Sequence, residues 1–146
     1  MRSRYTLWLK TAVVFMLVTA AFHSLSLVAR PAPRNETERQ MMDLMATYRL
    51  DMGDGFRPTM TNLMTALSAC FTFVCVLGGL TNAYLLRRRV PLAILKGVVG
   101  IHLLVFAGVF AVMLALTFSP PVVLTGLIVV FLLLAYLTIP VERSAA

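Results

Sequence analysis

The sequence predicts an all-α fold, namely an integral membrane four-helix bundle with a short amphipathic outer helix in the first loop. Hydrophobic residues make up 60% of the 146 residues and charged residues 13%, whereas a soluble domain is about half apolar and about one quarter charged. The mean hydropathy is +0.87. Four apolar runs match or approach the roughly 20 residues that a helix needs to cross a bilayer core. These runs are residues 11–29, 63–86, 90–118 and 121–139.

The four runs and the loop at residues 30–58 occupy most of the chain, so we expect residues 1–146 to form a single membrane domain without a soluble catalytic domain. The connections after the first loop are short. Pro91 suits the first turn of the third span, and Ser119 can cap the fourth span. Short connections join antiparallel neighbours, which predicts an up-down-up-down bundle.

The net charge of +7 lies on one side of this predicted bundle. The N-terminus, the second connection and the C-terminus together carry eight basic residues and one acidic residue, whereas the loop at 30–58 carries five arginines and five acidic residues. The positive-inside rule therefore predicts that both termini are cytoplasmic. This distribution indicates the lipid bilayer as a partner and argues against nucleic acid. The preference for arginine over lysine points to a bacterial inner (plasma) membrane.

The first apolar run admits two interpretations. The segment RSRYTLWLK, followed by apolar and small residues, has the order of a cleavable secretory signal. The run exceeds the roughly 7 to 15 apolar residues of a signal peptide, which favours a membrane span. Cleavage would leave three spans.

The loop at 30–58 predicts a short helix of its own. Asn35 and Glu38 have the spacing of a capping box, in which the Asn side chain accepts from a backbone N–H and the Glu reaches back. We expect the helix to end at Gly53 and Gly55. Its apolar stripe could lie on the outer leaflet or pack on the ends of the spans, and we favour packing. The stripe comprises Met41, Leu44, Met45, Tyr48 and Met52.

The second span carries small or weakly polar side chains at heptad spacing. Small residues let membrane helices approach closely, and hydroxyls can bond within a helix or to a neighbour. This face therefore predicts helix packing, and a solute path is the alternative. The third span has a similar stripe at Gly100, Ala107 and Ala111. The face of the second span comprises Thr61, Thr65, Ser68, Thr72, Cys75, Gly79 and Asn82.

The chain has two histidines, and both lie in apolar surroundings. His23 and His102 each follow a cation by 13 residues, so both lie about 20 Å from the cytoplasmic charges. Two imidazoles at one depth could ligate a haem iron, with Arg30 as a propionate anchor. The simpler interpretation is that each histidine is neutral and bonded to a polar group inside the bundle. The candidate partners are Thr19, Ser26, Asn62 and backbone carbonyls.

No catalytic or metal-binding motif accompanies these residues. Cys70 and Cys75 are five residues apart on one predicted helix, which excludes a disulfide between them. The sequence contains no GxSxG, HExxH or phosphate loop. The cofactor is therefore unknown, with haem as the one candidate, and the sequence favours a protein that is not an enzyme.

Three segments carry a resemblance to a known group of proteins. They are FHSLSL, PRNETERQMMDLMATY and GFRPTMTNLM, which cover parts of the first two spans and the loop between them. In these segments the chain resembles small four-span bacterial inner-membrane proteins of unknown function. The resemblance implies that His23 and the NETE segment belong to one outer-face unit. It implies no activity, substrate or cofactor.

Three functional hypotheses remain open. The first is a non-enzymatic accessory or assembly component, whose small-residue faces would bind a membrane protein partner or a second copy. The second is a bis-histidine haem-binding redox protein that uses His23 and His102. The third is a small transporter or lipid-ligand binder with a pocket beneath the outer helix, in which Glu38 or His23 would take part.

Overall fold

A computed structural model describes residues 4–29 and 32–140, and it confirms the predicted all-α fold. Four of the five helices in this part of the chain are long and apolar enough to cross a membrane. The chain is therefore a multi-pass helical membrane protein by length and composition. The helices are α1 (Arg4–Val28), α2 (Glu36–Thr47), α3 (Met60–Arg88), α4 (Leu92–Leu116) and α5 (Ser119–Thr138).

The helices differ in their bounds from the apolar runs. α1 begins at Arg4 instead of residue 11, because residues with amphipathic side chains such as Tyr5 and Lys10 can continue a membrane helix into the interface. α3 begins at Met60 instead of residue 63. The Thr59 hydroxyl accepts a hydrogen bond from the Asn62 N–H at 3.2 Å, and this bond caps the first turn of α3.

The chain divides into two compact units. The bundle unit comprises Met1–Ala20 and Val74–Ala146, and the loop unit comprises Ala21–Phe73. The bundle unit contains most of α1, the second half of α3, and all of α4 and α5. The loop unit contains α2 together with the adjoining ends of α1 and α3.

Aromatic side chains join α1 to α5 within the bundle unit. The ring of Phe131 stacks on Trp8 at 6.0 Å between centroids and on Phe15 at 5.4 Å. Lys96 joins α4 to the end of α5, since its Nζ lies 3.4 Å from the Ile139 carbonyl oxygen and 5.0 Å from the centroid of the Tyr136 ring. The beginning of α4 and the end of α5 therefore lie at the same end of this unit.

Gly78 lies at a close approach between α3 and its neighbours. A Cβ atom at this position would lie 3.0 Å from a ring carbon of Phe106 and 3.3 Å from the sulfur of Met16. Both of those side chains are fully buried. Because Gly78 has no side chain, α1 and α4 can pack closely against α3, as small residues allow between membrane helices. A Cβ atom at Gly108 on α4 would instead lie in open space, with no neighbouring side chain within 4 Å.

This difference between the two glycines predicts different costs of substitution. Gly78→Leu should lower the free energy of unfolding by about 1–3 kcal/mol, because the added side chain overpacks a filled interface. Gly108→Leu is the matched control and should change it by less than about 0.5 kcal/mol. Unfolding with increasing SDS in mixed micelles, followed by circular dichroism, measures both. Equal losses would contradict the close packing at Gly78.

Candidate functional site

Asn82 on α3 and His102 on α4 form a polar pair within the bundle unit, in which Asn82 is buried and His102 is half-buried. The Asn82 side chain is fully buried, and its Nδ2 lies 2.8 Å from His102 Nδ1. The same Nδ2 donates to the Gly78 carbonyl oxygen at 2.9 Å. A carbonyl oxygen can accept only from the amide nitrogen, so this second bond fixes the orientation of the Asn82 amide. His102 Nδ1 must then be the acceptor.

An imidazole that accepts at Nδ1 carries its proton on Nε2 and is neutral. The pair thus links two membrane helices without placing a formal charge between them. A second buried acceptor remains here, because Asn82 Oδ1 receives no hydrogen bond from the described residues. The arrangement can lock α3 to α4, but it offers neither a nucleophile nor a paired acid and base.

The sequence indicates both residues as candidates but does not indicate their contact. The sequence places Asn82 on the packing face of α3, and the candidate partners that it offers for the histidines are Thr19, Ser26, Asn62 and backbone carbonyls. The tight connection between α3 and α4 was the available signal, because it brings antiparallel residues to similar depths. Which side of α4 faces α3 depends on packing that one sequence does not specify.

Removing both members of the pair should cost less than the sum of the single losses. Asn82→Leu preserves the side-chain volume, and His102→Phe preserves a ring. Hydrogen bonds between membrane helices couple by about 0.6 kcal/mol on average and by up to about 1.7. A double-mutant cycle on the free energy of unfolding measures this coupling. Additive single losses would show that the contact contributes nothing.

His23 belongs to the loop unit and has different neighbours. Its ring meets Phe71 edge-on, with centroids 4.9 Å apart and planes at 86°. It also forms a hydrogen bond with the main chain of Ser68. Both neighbours lie on α3, so His23 holds the end of α1 to α3 within this unit.

The two histidines thus contact different groups on α3. Arg30, the proposed propionate anchor, lies outside the described residues, as does the side chain of Ser26. The bis-histidine haem hypothesis therefore stays a prediction. The visible absorption spectrum of protein purified from haem-sufficient cells is the measurement that tests it.

Asn62 does not belong to a polar core. Its side chain is exposed, and its Oδ1 accepts from the Thr59 hydroxyl at 3.1 Å. Thr59 and Asn62 stand three residues apart at the beginning of α3, which is the spacing of an N-cap and its third helical residue. The Asn62 side chain, a candidate partner for a histidine, is therefore bonded to Thr59 in the helix cap.

The predicted packing face of α3 is buried along part of its length. Cys75, Gly79 and Asn82 are buried, whereas Thr65 is exposed. Thr61, Ser68 and Thr72 are half-buried. The hydroxyls of Thr65 and Thr72 donate to carbonyls one turn earlier on α3, at 2.8 and 3.2 Å. These side chains are satisfied within their own helix, so their heptad spacing does not require a neighbouring helix.

The beginning of α2 is fixed by the predicted cap residues. Asn35 has extended backbone angles, and its Oδ1 accepts from the Glu38 N–H at 2.8 Å. Glu38 reaches back one residue further than in a capping box, because its carboxylate accepts from the Arg34 N–H at 2.7 Å. Two backbone donors at the helix beginning are thereby satisfied.

The end of α2 differs from the prediction. The helix ends at Thr47 instead of at Gly53, so Tyr48 and Met52 lie beyond it. Residues 49–59 form a hairpin in which the Leu50 N–H donates to the Pro58 carbonyl at 2.9 Å. Its turn at residues 53–55 has positive φ throughout, which favours the two glycines present there. These hairpin bonds take the backbone groups that a longer helix would have used.

The apolar side of α2 is uncovered, contrary to the favoured expectation that it packs on the ends of the spans. No residue of α2 is buried, and the side chains of Met41 and Leu44 are 52% and 61% exposed. The polar side carries a charge cluster centred on Arg39. Its Nε donates to Glu36 at 2.8 Å and its Nη1 to Asp43 at 3.1 Å. The hydrogen bond from Arg39 lowers the pKa of Glu36.

This lowered pKa predicts an acid-sensitive α2. Glu36 has its ordinary pKa of 4.5 when α2 is unfolded and a lower pKa when α2 is folded. Its contribution to the stability of folded α2 is therefore fully present above pH 4.5. The contribution is lost as the pH falls through the folded pKa. Amide exchange protection of α2 should therefore drop below pH 4.5. Glu36→Gln should show a smaller drop, and an unchanged one would contradict the assignment to Glu36.

No group of three or more His, Cys, Asp or Glu residues within 4–29 and 32–140 could hold a metal ion. Both cysteines are free, with Cys70 exposed and Cys75 buried. Comparison with known proteins finds no matching family model, no matching curated protein and no matching solved structure.

Proposed function

We propose that this chain is a non-enzymatic accessory or assembly component of a membrane, and that it binds another membrane protein chain or a second copy through α2. The observation that carries the proposal is the uncovered apolar side of this helix. Exposed apolar patches on a folded protein are typical of interaction sites. Methionine is frequent on such surfaces because its flexible side chain adapts to different partners.

The position of α2 supports binding at low entropic cost. The helix is capped by Asn35, its polar side is held by the Arg39 cluster, and the hairpin at 49–59 follows it directly. A surface that is already ordered loses less conformational freedom when a partner docks. The hairpin adds Met52 and Phe56, which are 60% and 62% exposed, to the apolar surface of the same unit.

The membrane and the orientation are part of the proposal. The excess of positive charge at the beginning of α1 and around Arg88 supports cytoplasmic termini in a bacterial inner membrane. The neutral loop with α2 would then face outward. Membership of the small four-span bacterial group is likewise proposed, and it is supported by the resemblance in the first two spans and their loop.

A charge placed on the apolar side of α2 should abolish partner binding. Leu44→Lys puts a cation into the proposed interface. Ala46→Lys is the matched control, because Ala46 is also exposed and lies on another side of the same helix turn. Lysine near the end of a helix is favourable at both positions. Crosslinking in native membranes, followed by purification in mild detergent and mass determination, measures the assembly.

We expect the original chain and Ala46→Lys to be recovered with a stoichiometric partner or as a defined oligomer, and Leu44→Lys to be recovered alone. Circular dichroism and melting temperature should be the same for all three, which excludes misfolding as the cause. A monomeric original chain after crosslinking would overturn the proposal. Equal assembly of all three proteins would exclude α2 as the interface.

A further inference from the structure

The bundle unit contains a cavity of about 900 Å³ where α1 begins, α3 ends and α4 begins. This volume falls within the range of roughly 300 to 1,000 Å³ that small-molecule sites occupy. Its apolar wall is formed by valine and leucine side chains, among them Val13, Val14 and Leu86. The cavity is distinct from the Asn82–His102 pair and from α2, since none of those residues lines it.

Three cations line the same cavity, namely Lys10 on α1, Arg87 on α3 and Arg89 directly after α3. No acidic residue is among the lining side chains. The ion pairs in the described part of the chain lie in the loop unit and leave these three cations without a carboxylate partner. The cavity therefore combines an apolar wall with three cations that pair with no carboxylate among the described residues.

The neighbouring Arg88 is used differently. Its Nε donates to the Tyr84 hydroxyl at 3.3 Å, and its guanidinium lies 5.6 Å from the centroid of the Tyr84 ring. Arg88 does not line the cavity. Of the three consecutive arginines, Arg87 and Arg89 thus line the cavity, whereas Arg88 contacts Tyr84 on its own helix.

The backbone at Arg89 is a second, independent observation. Arg89 has a φ of 50°, in the left-handed region, and the Val90 N–H approaches the Leu85 carbonyl oxygen at 3.5 Å across it. This is the arrangement of a Schellman motif, in which glycine usually occupies the left-handed position. A non-glycine residue there is strained, and such strain clusters at ligand sites. Arg89 occupies this left-handed position, where glycine is usual, and it lines the cavity.

We propose that this cavity binds an anionic phospholipid, whose phosphate contacts Lys10, Arg87 and Arg89 and whose acyl chain lies along the valine and leucine wall. Basic pockets between membrane helices bind anionic lipid headgroups in this manner, and arginine pairs with phosphate through two parallel N–H donors. A free phosphate ion would match the cations but would leave the apolar wall uncovered. The chemistry of the whole cavity therefore favours a lipid.

Native mass spectrometry of the full chain tests this after exchange into nanodiscs of phosphatidylglycerol and phosphatidylcholine in equal amounts. We expect phosphatidylglycerol to be retained preferentially. Arg87→Ala and Lys10→Ala should each weaken retention about fivefold, which corresponds to the effect of one cation at a membrane surface. Arg88→Ala is the matched control, since it removes the same charge at the same end of α3, and it should leave retention unchanged.

Two further variants separate the site from general surface charge and from folding. Arg89→Gly removes the cation while relieving the left-handed strain, so it should lose lipid but retain or raise the melting temperature. Val14→Trp narrows the apolar wall with every cation in place, and it should also reduce retention.

The proposal is overturned by equal loss in Arg88→Ala and Arg87→Ala, or by equal retention of the two lipids. Displacement of the lipid by millimolar inorganic phosphate would also overturn it and would assign a phosphate ion to the site. Each result is independent of partner binding through α2, because the cavity and α2 belong to different units.

Discussion

The close approach of helices at Gly78 is the constraint on which the bundle unit depends. The interior of a membrane contains no water, so the hydrophobic effect does not favour contact between two helices over contact with a lipid tail. Packing and hydrogen bonds must therefore determine which helices become neighbours. The absence of a side chain at Gly78 lets Met16 and Phe106 fill the contact from both sides. The same approach buries Asn82 one turn later, and a buried amide requires partners. The partners are the Gly78 carbonyl and His102.

The loop unit is organised by a different principle. The polar groups of α2 and its flanking turns lie at the surface and form local hydrogen bonds, in the Asn35 cap, the Arg39 cluster and the hairpin at residues 49–59. Its apolar side chains on α2 are the ones that lack cover. The loop unit thus exposes apolar surface on α2, and the bundle unit places three cations around a cavity. These two features support the two binding proposals made for this chain.

The fold class followed from the sequence because a bilayer requires each spanning segment to satisfy its own backbone bonds. Long apolar runs therefore read directly as helices, and the Asn35 cap was visible as a local pattern. The predicted end of α2 was wrong. Tyr48 and Met52 continue the helical spacing of apolar residues, but the hydrogen bonds of the hairpin at residues 49–59 determine the backbone conformation there. The Asn82–His102 contact was missed because heptad spacing identifies a face but not its neighbour. The cavity joins residues of three helices, so no single segment could have indicated it.

The tautomer of His102 has an electrical consequence. Because Nδ1 accepts from Asn82, the imidazole has no formal charge, and the described cations of the bundle unit lie towards the ends of its helices. A membrane potential acts on charge, at about 2.3 kcal/mol per elementary charge per 100 mV for full crossing. The α3–α4 contact presents no such charge to the field. The packing of these two helices should therefore remain the same whether the membrane is energised or depolarised.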